Sequence, residues 1–342
     1  MTGSAMQEND YLGLVCSRWC HWSELALQRI PRQPLAPGQV RIRVRHAGVG
    51  FALSLFVSGK YQRKPPLPFT PGTEAAGEII EVAPDVTRLR PGQRVTAALD
   101  WGGFAEEVVT TADTVYPVPD TLDLAHAAAL PVTCGTVWAA LDWRAALRPG
   151  ETMLVHGASG ALGTAAVQIG RLMGARVIAT ASTEAKREAA LRNGATHALP
   201  PDPETLAAAV KALCPAGGVD IVFDPVGGDL FDASLRCAAP GARLLSIGYA
   251  SGRIPQVPAN LLLVKNLTLI GFNYGYYIGW GLTDERRRFA PQVQEMVGRI
   301  LNAVDKGELP PPVLQRFRLQ DWYEAVETTM SRRAIGKVML DL

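Results

Sequence analysis

Apolar and basic side chains alternate over residues 40–44, where Val40, Ile42 and Val44 are interleaved with Arg41 and Arg43. A strand with one buried face requires this period of two. Further β-type runs stand at 76–82 and 94–98, separated by turn signals such as Pro91-Gly92. With the density of Pro and Gly up to about residue 120, they predict an irregular, mostly antiparallel β domain. The texture changes near Leu124. Residues 125–130 and 137–147 read as helices, and strand and helix signals then take turns. Strands are predicted at 153–156, 176–180, 219–223 and 243–247, and helices at 163–173 and 184–193, the latter ended by Gly194. Strands alternating with helices of this length predict a doubly wound parallel sheet. An apolar, β-leaning run at 261–271 closes that unit. An aromatic-rich loop, a helix at 291–306 and a final helix–strand pair ending at Leu340 follow.

Composition narrows the class. The 342 residues accommodate two domains, and 48% hydrophobic with 19% charged residues describes a folded, enzyme-like protein. A net charge of +2 on 34 basic and 32 acidic residues gives no footprint for nucleic acid. The dense basic run Arg286-Arg287-Arg288 reads as a solvated helix face, with an anionic-ligand contact as the alternative. No stretch reaches a membrane span, and residues 1–11 lack the apolar core of a signal peptide. The five cysteines form no paired framework, and Cys16 and Cys20 have no ligand partners at metal-binding spacing. Reduced thiols in a cytoplasmic protein are expected.

The local motif with the clearest chemistry is Leu154-Val155-His156-Gly157-Ala158-Ser159-Gly160-Ala161-Leu162-Gly163. A buried strand enters a glycine-rich turn that opens directly into a helix. Such a turn lets the backbone approach a pyrophosphate at Gly160 and packs helix on strand at Gly163. Ser159, Gly160, Ala161, Leu162 and Gly163 are therefore candidate cofactor contacts; a tight turn without a ligand is the alternative. At the end of the next strand, NAD-binding proteins place an acidic residue for the ribose hydroxyl. This chain reads Ala181-Ser182-Thr183, then Lys186-Arg187. Two hydroxyls and a cation fit a 2′-phosphate, which favours NADPH; Lys186 and Arg187 as ordinary surface residues of the following helix are the alternative.

The chain resembles the quinone-oxidoreductase branch of the medium-chain dehydrogenase/reductase superfamily. The resemblance rests on Gly72-Thr73-Glu74-Ala75-Ala76-Gly77, on Ala127 to Thr133, on the 155–163 turn, on Phe223-Asp224-Pro225-Val226-Gly227-Gly228, on Pro258-Ala259-Asn260-Leu261-Leu262-Leu263 and on Gly336-Lys337-Val338. It implies a GroES-like β-rich catalytic domain built from both chain ends around a Rossmann domain, usually as a homodimer. The division expected is 1–123 and 273–342 for the catalytic domain and 124–272 for the cofactor domain. The dimer surface is expected at an apolar β-type edge within 257–271. Zinc is not expected: zinc-dependent relatives carry Gly-His-Glu where Thr73 stands, and no cysteine lies near Gly48-Val49-Gly50. Cys134 reads as a buried small residue. The resemblance also implies cofactor contacts at Thr136, Lys186, Val226, Gly248, Tyr249 and Lys337. Two positions depart from the family pattern. Pro201 replaces a tyrosine used beside the adenine phosphate, and Gly50 and Leu53 replace an Asn and an Asp before the active-site helix.

Without a metal to polarise a carbonyl, a conjugated acceptor is the easier hydride target, since charge spreads to a distant oxygen. By resemblance Tyr61 is the candidate proton donor; packing at a loop edge is its other reading. Phe51, Tyr276 and Tyr277 are candidate substrate contacts, although the 274–280 aromatics could equally pack between domains. The expected activity is NADPH-dependent reduction of quinones or α,β-unsaturated carbonyls. An enoyl-thioester reductase and a non-catalytic NADPH-binding protein are the alternatives.

Overall fold

The computed structural model describes residues 10–214 and 217–342. The N-terminal part carries seven strands: β1 (Asp10–Val15), β2 (Ala26–Pro31), β3 (Gln39–Val49), β4 (Glu74–Val82), β5 (Arg94–Ala98), β6 (Glu107–Thr111) and β7 (Val115–Pro117), with helix α1 (Leu53–Val57) between β3 and β4. β1 and β2 pair as a ribbon. β3 is the hub of the larger sheet: Val40, Ile42 and Val44 are buried as the alternation predicts. Arg41 is buried as well, contrary to its polar position, because its guanidinium pairs with Glu81 at 2.9 Å and donates to the Gln33 carbonyl.

After α2 (Leu124–Ala128), a π-helical segment (Leu130–Cys134), α3 (Gly135–Ala139) and a second π segment (Ala140–Arg144), the chain enters the parallel unit. Its elements are β8 (Thr152–Val155), α4 (Ala161–Leu172), β9 (Arg176–Thr180), α5 (Glu184–Arg192), β10 (His197–Leu199), α6 (Leu206–Leu213), β11 (Val219–Asp224), α7 (Gly228–Cys237), β12 (Ala238–Ser246), α8 (Ala259–Lys265) and β13 (Thr268–Gly271). The six strands lie in the order β10-β9-β8-β11-β12-β13. Its order reverses between β8 and β11, and open α/β sheets bind ligands beyond the strand ends at such a switch. Small residues let α4 press on the sheet: a Cβ on Gly170 would lie 2.2 Å from Met153 Cε.

One element differs from expectation. The 261–271 run is not a continuous β-type edge; its first half is helix α8, and only Thr268–Gly271 is strand. Leucines are strong helix formers, and Asn266, left-handed at φ 53°, ends the helix and turns the chain into β13.

The remaining elements are α9 (Arg286–Asp305), β14 (Leu314–Arg318), α10 (Trp322–Met330) and β15 (Lys337–Asp341). β14 and β15 extend the N-terminal sheet, giving β14-β15-β3-β4-β5-β7 with β6 also on β3. β14, α10 and β15 pack with the β-rich part, while α9 buries Val293, Val297 and Ile300 in a cluster that holds Val137 and Leu141 together with Ala76, Ala98 and Tyr116. Among the described residues no helix is long and apolar enough to cross a membrane.

Candidate functional site

β8 delivers the chain to Gly157, which is left-handed at φ 61°, and α4 begins at Ala161 after an extended Gly160. The turn is pinned by the Ala158 N–H donating to the Thr180 carbonyl at 3.0 Å. A Cβ on Gly163 would stand 2.2 Å from the Gly157 carbonyl oxygen, so only glycine lets the helix start this close to the strand. At Gly160 a Cβ would meet only the Gly157 oxygen, at 3.6 Å, leaving the outer side open. An open glycine turn feeding the N-terminus of a 12-residue helix fits a dinucleotide pyrophosphate. Ser159 and Gly163 are buried within it, and Gly160, Ala161 and Leu162 are half-buried.

His156, fully buried, supports this turn from beneath. Its Nδ1 lies 2.9 Å from Thr180 Oγ1 and its Nε2 2.7 Å from Ser234 Oγ. The Ser234 hydroxyl donates to the Leu230 carbonyl. It must therefore accept from Nε2–H, which leaves Nδ1 to accept from Thr180. Burial pushes the imidazole pKa down and favours this neutral form.

Beyond β9, Ser182 and Thr183 are exposed. Thr183 caps α5 by accepting from the Lys186 N–H. The Lys186 ammonium donates to the Arg332 carbonyl at 2.9 Å, and Arg187 donates to the carbonyls of Ala181 and Ser182. Arg332 has no counterpart in the sequence reading. It is left-handed at φ 58°, its guanidinium bonds the Ala250 carbonyl and lies 5.8 Å from the Phe51 ring centroid. Four residues on, the Gly336 N–H donates to the Ser159 carbonyl at 3.0 Å. The 332–336 segment thus straps the β-rich domain to the turn and brings the Arg332 backbone to Lys186 and its guanidinium to Ala250. Only the Gly336-Lys337 pair hinted at this in the sequence; Arg332 acquires its neighbours through the fold alone.

Val226, Gly248 and Tyr249 lie just beyond strand ends, and Thr136 within α3. Asp224 accepts the N–H groups of Val226 and Gly227 at 2.6 and 3.0 Å, folding back the loop after β11. Gly248 and Tyr249 follow β12, with the Tyr249 phenol accepting from Ser246. Thr136 is half-buried, its hydroxyl donating to the Val132 carbonyl at 2.6 Å. The Lys337 ammonium forms a buried ion pair with Glu74, and the residue lines a small pocket with Ala161 and Thr164 of α4.

A narrow cleft with about 30 Å³ of free internal space opens beside Gly48 and Gly50. Phe56, Phe69, Trp101 and Phe104 supply its apolar wall, and Thr73 and Asp100 its polar side chains. Arg63 and Arg286 both pair with Asp100. Arg286 is therefore neither on a solvated face nor free for a phosphate; Asp284 holds it as well, at 2.8 Å. Tyr61 is not in the cleft lining. Its ring stacks on Phe56 at 4.1 Å, and burial raises its phenol pKa. Phe51 is exposed beneath Arg332, Tyr276 is at the surface, and Tyr277 packs among Trp143, Phe272 and Phe289. Burial pushes the Cys134 thiol up to about 12, an inert state. Among the described residues no three His, Cys, Asp or Glu side chains group as a metal site.

A six-stranded parallel sheet with a dinucleotide-type turn, joined to a β-rich domain carrying a cleft, defines a two-domain oxidoreductase class. The alcohol dehydrogenase GroES-like domain model matches residues 36–120 and the zinc-binding dehydrogenase model residues 161–293. The chain is 36% identical over 337 residues to quinone oxidoreductase-like protein 2 of Rattus norvegicus, covering 98% of this chain and 93% of that one. Its structure matches the quinone oxidoreductase of Pseudomonas syringae with a TM-score of 0.88 at 26% identity, over 97% and 100% of the two chains. It also matches the quinone oxidoreductase of Thermus thermophilus, described together with its NADPH complex, with a TM-score of 0.80 at 34% identity over 97% and 100%. The chain belongs to the quinone oxidoreductase-like branch of the medium-chain dehydrogenase/reductase superfamily.

Proposed function

We propose that this oxidoreductase uses NADPH to reduce quinones or α,β-unsaturated carbonyls without a metal, as a cytoplasmic homodimer. The observation that carries this reading is the cleft itself: four aromatic rings and one hydroxyl, Thr73, suit a flat conjugated acceptor. The open turn at Gly160 supports a dinucleotide, and Ser182, Lys186 and Arg332 offer a hydroxyl and two cations for a 2′-phosphate. The five free thiols are in keeping with a reducing compartment.

Bound NADPH supplies the hydride. The protein's part is to bind, orient and neutralise. The α4 N-terminus and the backbone of Gly160 to Gly163 would hold the diphosphate. The aromatic wall orients the acceptor and excludes water. Thr73 is the cleft hydroxyl placed to donate a hydrogen bond to the acceptor oxygen as charge builds there. Tyr61, stacked behind Phe56, reaches the acceptor only if that ring moves.

The test is NADPH oxidation by purified protein against quinones, enones and enoyl-thioesters. Turnover of the first two classes with loss in Thr73→Val supports the reading. Turnover confined to thioesters points to the enoyl reductase, and tight NADPH binding without any turnover points to a non-catalytic protein.

A further inference from the structure

The turn that follows β1 brings two sulfurs together: Cys16 Sγ and Cys20 Sγ are 4.0 Å apart. Cys16 is buried at 1% exposure, while Cys20 is half-exposed. Neither sulfur stands in isolation from the cleft. The Cys16 N–H donates to the Phe69 carbonyl at 2.8 Å, and the Phe69 N–H returns to the Cys16 carbonyl at 3.1 Å. Phe69 is a wall of the cleft. On the other side the Cys20 N–H donates to the Val57 carbonyl at 3.0 Å, at the end of α1. Between the two cysteines, Trp19 packs on Phe69 and under Gly59, where a Cβ would lie 2.8 Å from its ring. The 57–61 turn carried by these contacts leads to Tyr61.

We infer that Cys16 and Cys20 form a thiol-redox site that closes to a disulfide under hydroperoxides and shifts the cleft wall at Phe69 and residues 57–61. The asymmetry of exposure assigns the roles. The Cys20 thiolate attacks a peroxide oxygen; the O–O bond breaks, Cys20 becomes a sulfenic acid, and the departing hydroxide takes up a proton as water. Cys16 sulfur then attacks Cys20 sulfur; the S–S bond forms, the S–O bond breaks, and a second water leaves with the Cys16 proton. Two thiols lose two electrons and two protons, and one peroxide becomes two waters. Closing 4.0 Å to the roughly 2 Å of a disulfide re-sets the Cys16 and Cys20 side chains, and in our reading the 16–20 turn tightens with them. The backbone bonds to Phe69 and Val57 carry that movement into the cleft.

The test treats the intact protein with hydrogen peroxide and reads mass, disulfide map and amide hydrogen exchange. The expected result is a loss of about 2 Da, reversed by dithiothreitol and mapped to Cys16–Cys20, with exchange altered at Phe69 and residues 57–61. Cys20→Ser, at a half-exposed position, should fold normally and show neither change. A bridge to another cysteine, or oxygen added at Cys20 with no bridge, overturns the site. A mapped bridge that leaves exchange at these residues unchanged overturns its coupling to the cleft. Both readouts are independent of turnover, so failure of quinone reduction would leave this result standing.

Discussion

Glu74 reaches across strand β3 to the ammonium of Lys337, and the residue it crosses is Gly48. A Cβ there would lie 2.4 Å from Glu74 Oε1. Both side chains are buried, at 2% and 8% exposure, and Glu74 Oε2 has no hydrogen-bond partner among the described residues. The pair locks three neighbouring strands on the face turned to Cys134. Removing one charge strands the other in a buried site. Lys337→Met should cost about 3–5 kcal/mol in urea unfolding, and adding Glu74→Gln should restore much of it. Equal stability of Lys337→Met and the parent would show that the pair contributes nothing.

The buried imidazole of His156 gives a pH signature. Its folded pKa lies below the ordinary 6.5, so at acidic pH the unfolded chain binds the extra proton. The stability this neutral imidazole contributes is complete above 6.5 and is lost as pH falls through that value toward the folded pKa. His156→Gln should flatten the acid limb of a stability–pH profile. Ser234→Ala, which leaves Nε2–H without its acceptor, should cost about 1–3 kcal/mol at neutral pH. An acid limb identical in His156→Gln and the parent would assign the loss to other groups.

Cofactor choice is set apart from cofactor binding. Gly163→Ala drives a methyl into the Gly157 carbonyl and should abolish binding of both NADPH and NADH. Lys186→Ala should weaken NADPH by about tenfold or more and leave NADH unchanged. Titration of both nucleotides decides this, and equal parental affinities would remove the basis for NADPH preference.

What was legible in the sequence depended on whether its cause is local. The strands at 94–98 and 176–180 stand where period and turn signals put them, because alternation and punctuation act within a few residues. The glycine turn was legible for the same reason. The helix at Ala259–Lys265 was not, since an apolar run bounded by Pro258 suits either state, and the left-handed Asn266 that ends it is visible only in the fold. Arg286 looked like part of a basic helix face; its partners Asp100 and Asp284 meet it through the fold. Arg332 and Glu74 belong to the same group, meeting their partners through the fold and not through any pattern near them.

The open edge of the parallel sheet supports the last prediction. β13 ends the strand order, and its Leu269 is exposed at 41%. Helix α8, immediately before it, has no buried residue, and Leu263 and Val264 are exposed at 77% and 72%. The edge therefore differs from the continuous apolar strand expected: it is a short strand flanked by an apolar helix. An unpaired edge of this kind invites pairing with another chain. A two-fold axis at β13 would join the two six-stranded sheets and bring α8 of each copy over the seam, covering both features at once. Light scattering at low micromolar concentration should give about twice the 36.7 kDa of one chain. Leu269→Lys places a charge in the seam and should return the protein to one chain's mass while leaving NADPH binding intact, because Leu269 lies outside the turn and the cleft. A parental mass of 36.7 kDa would show the edge unpaired, and a Leu269→Lys dimer would move the interface elsewhere.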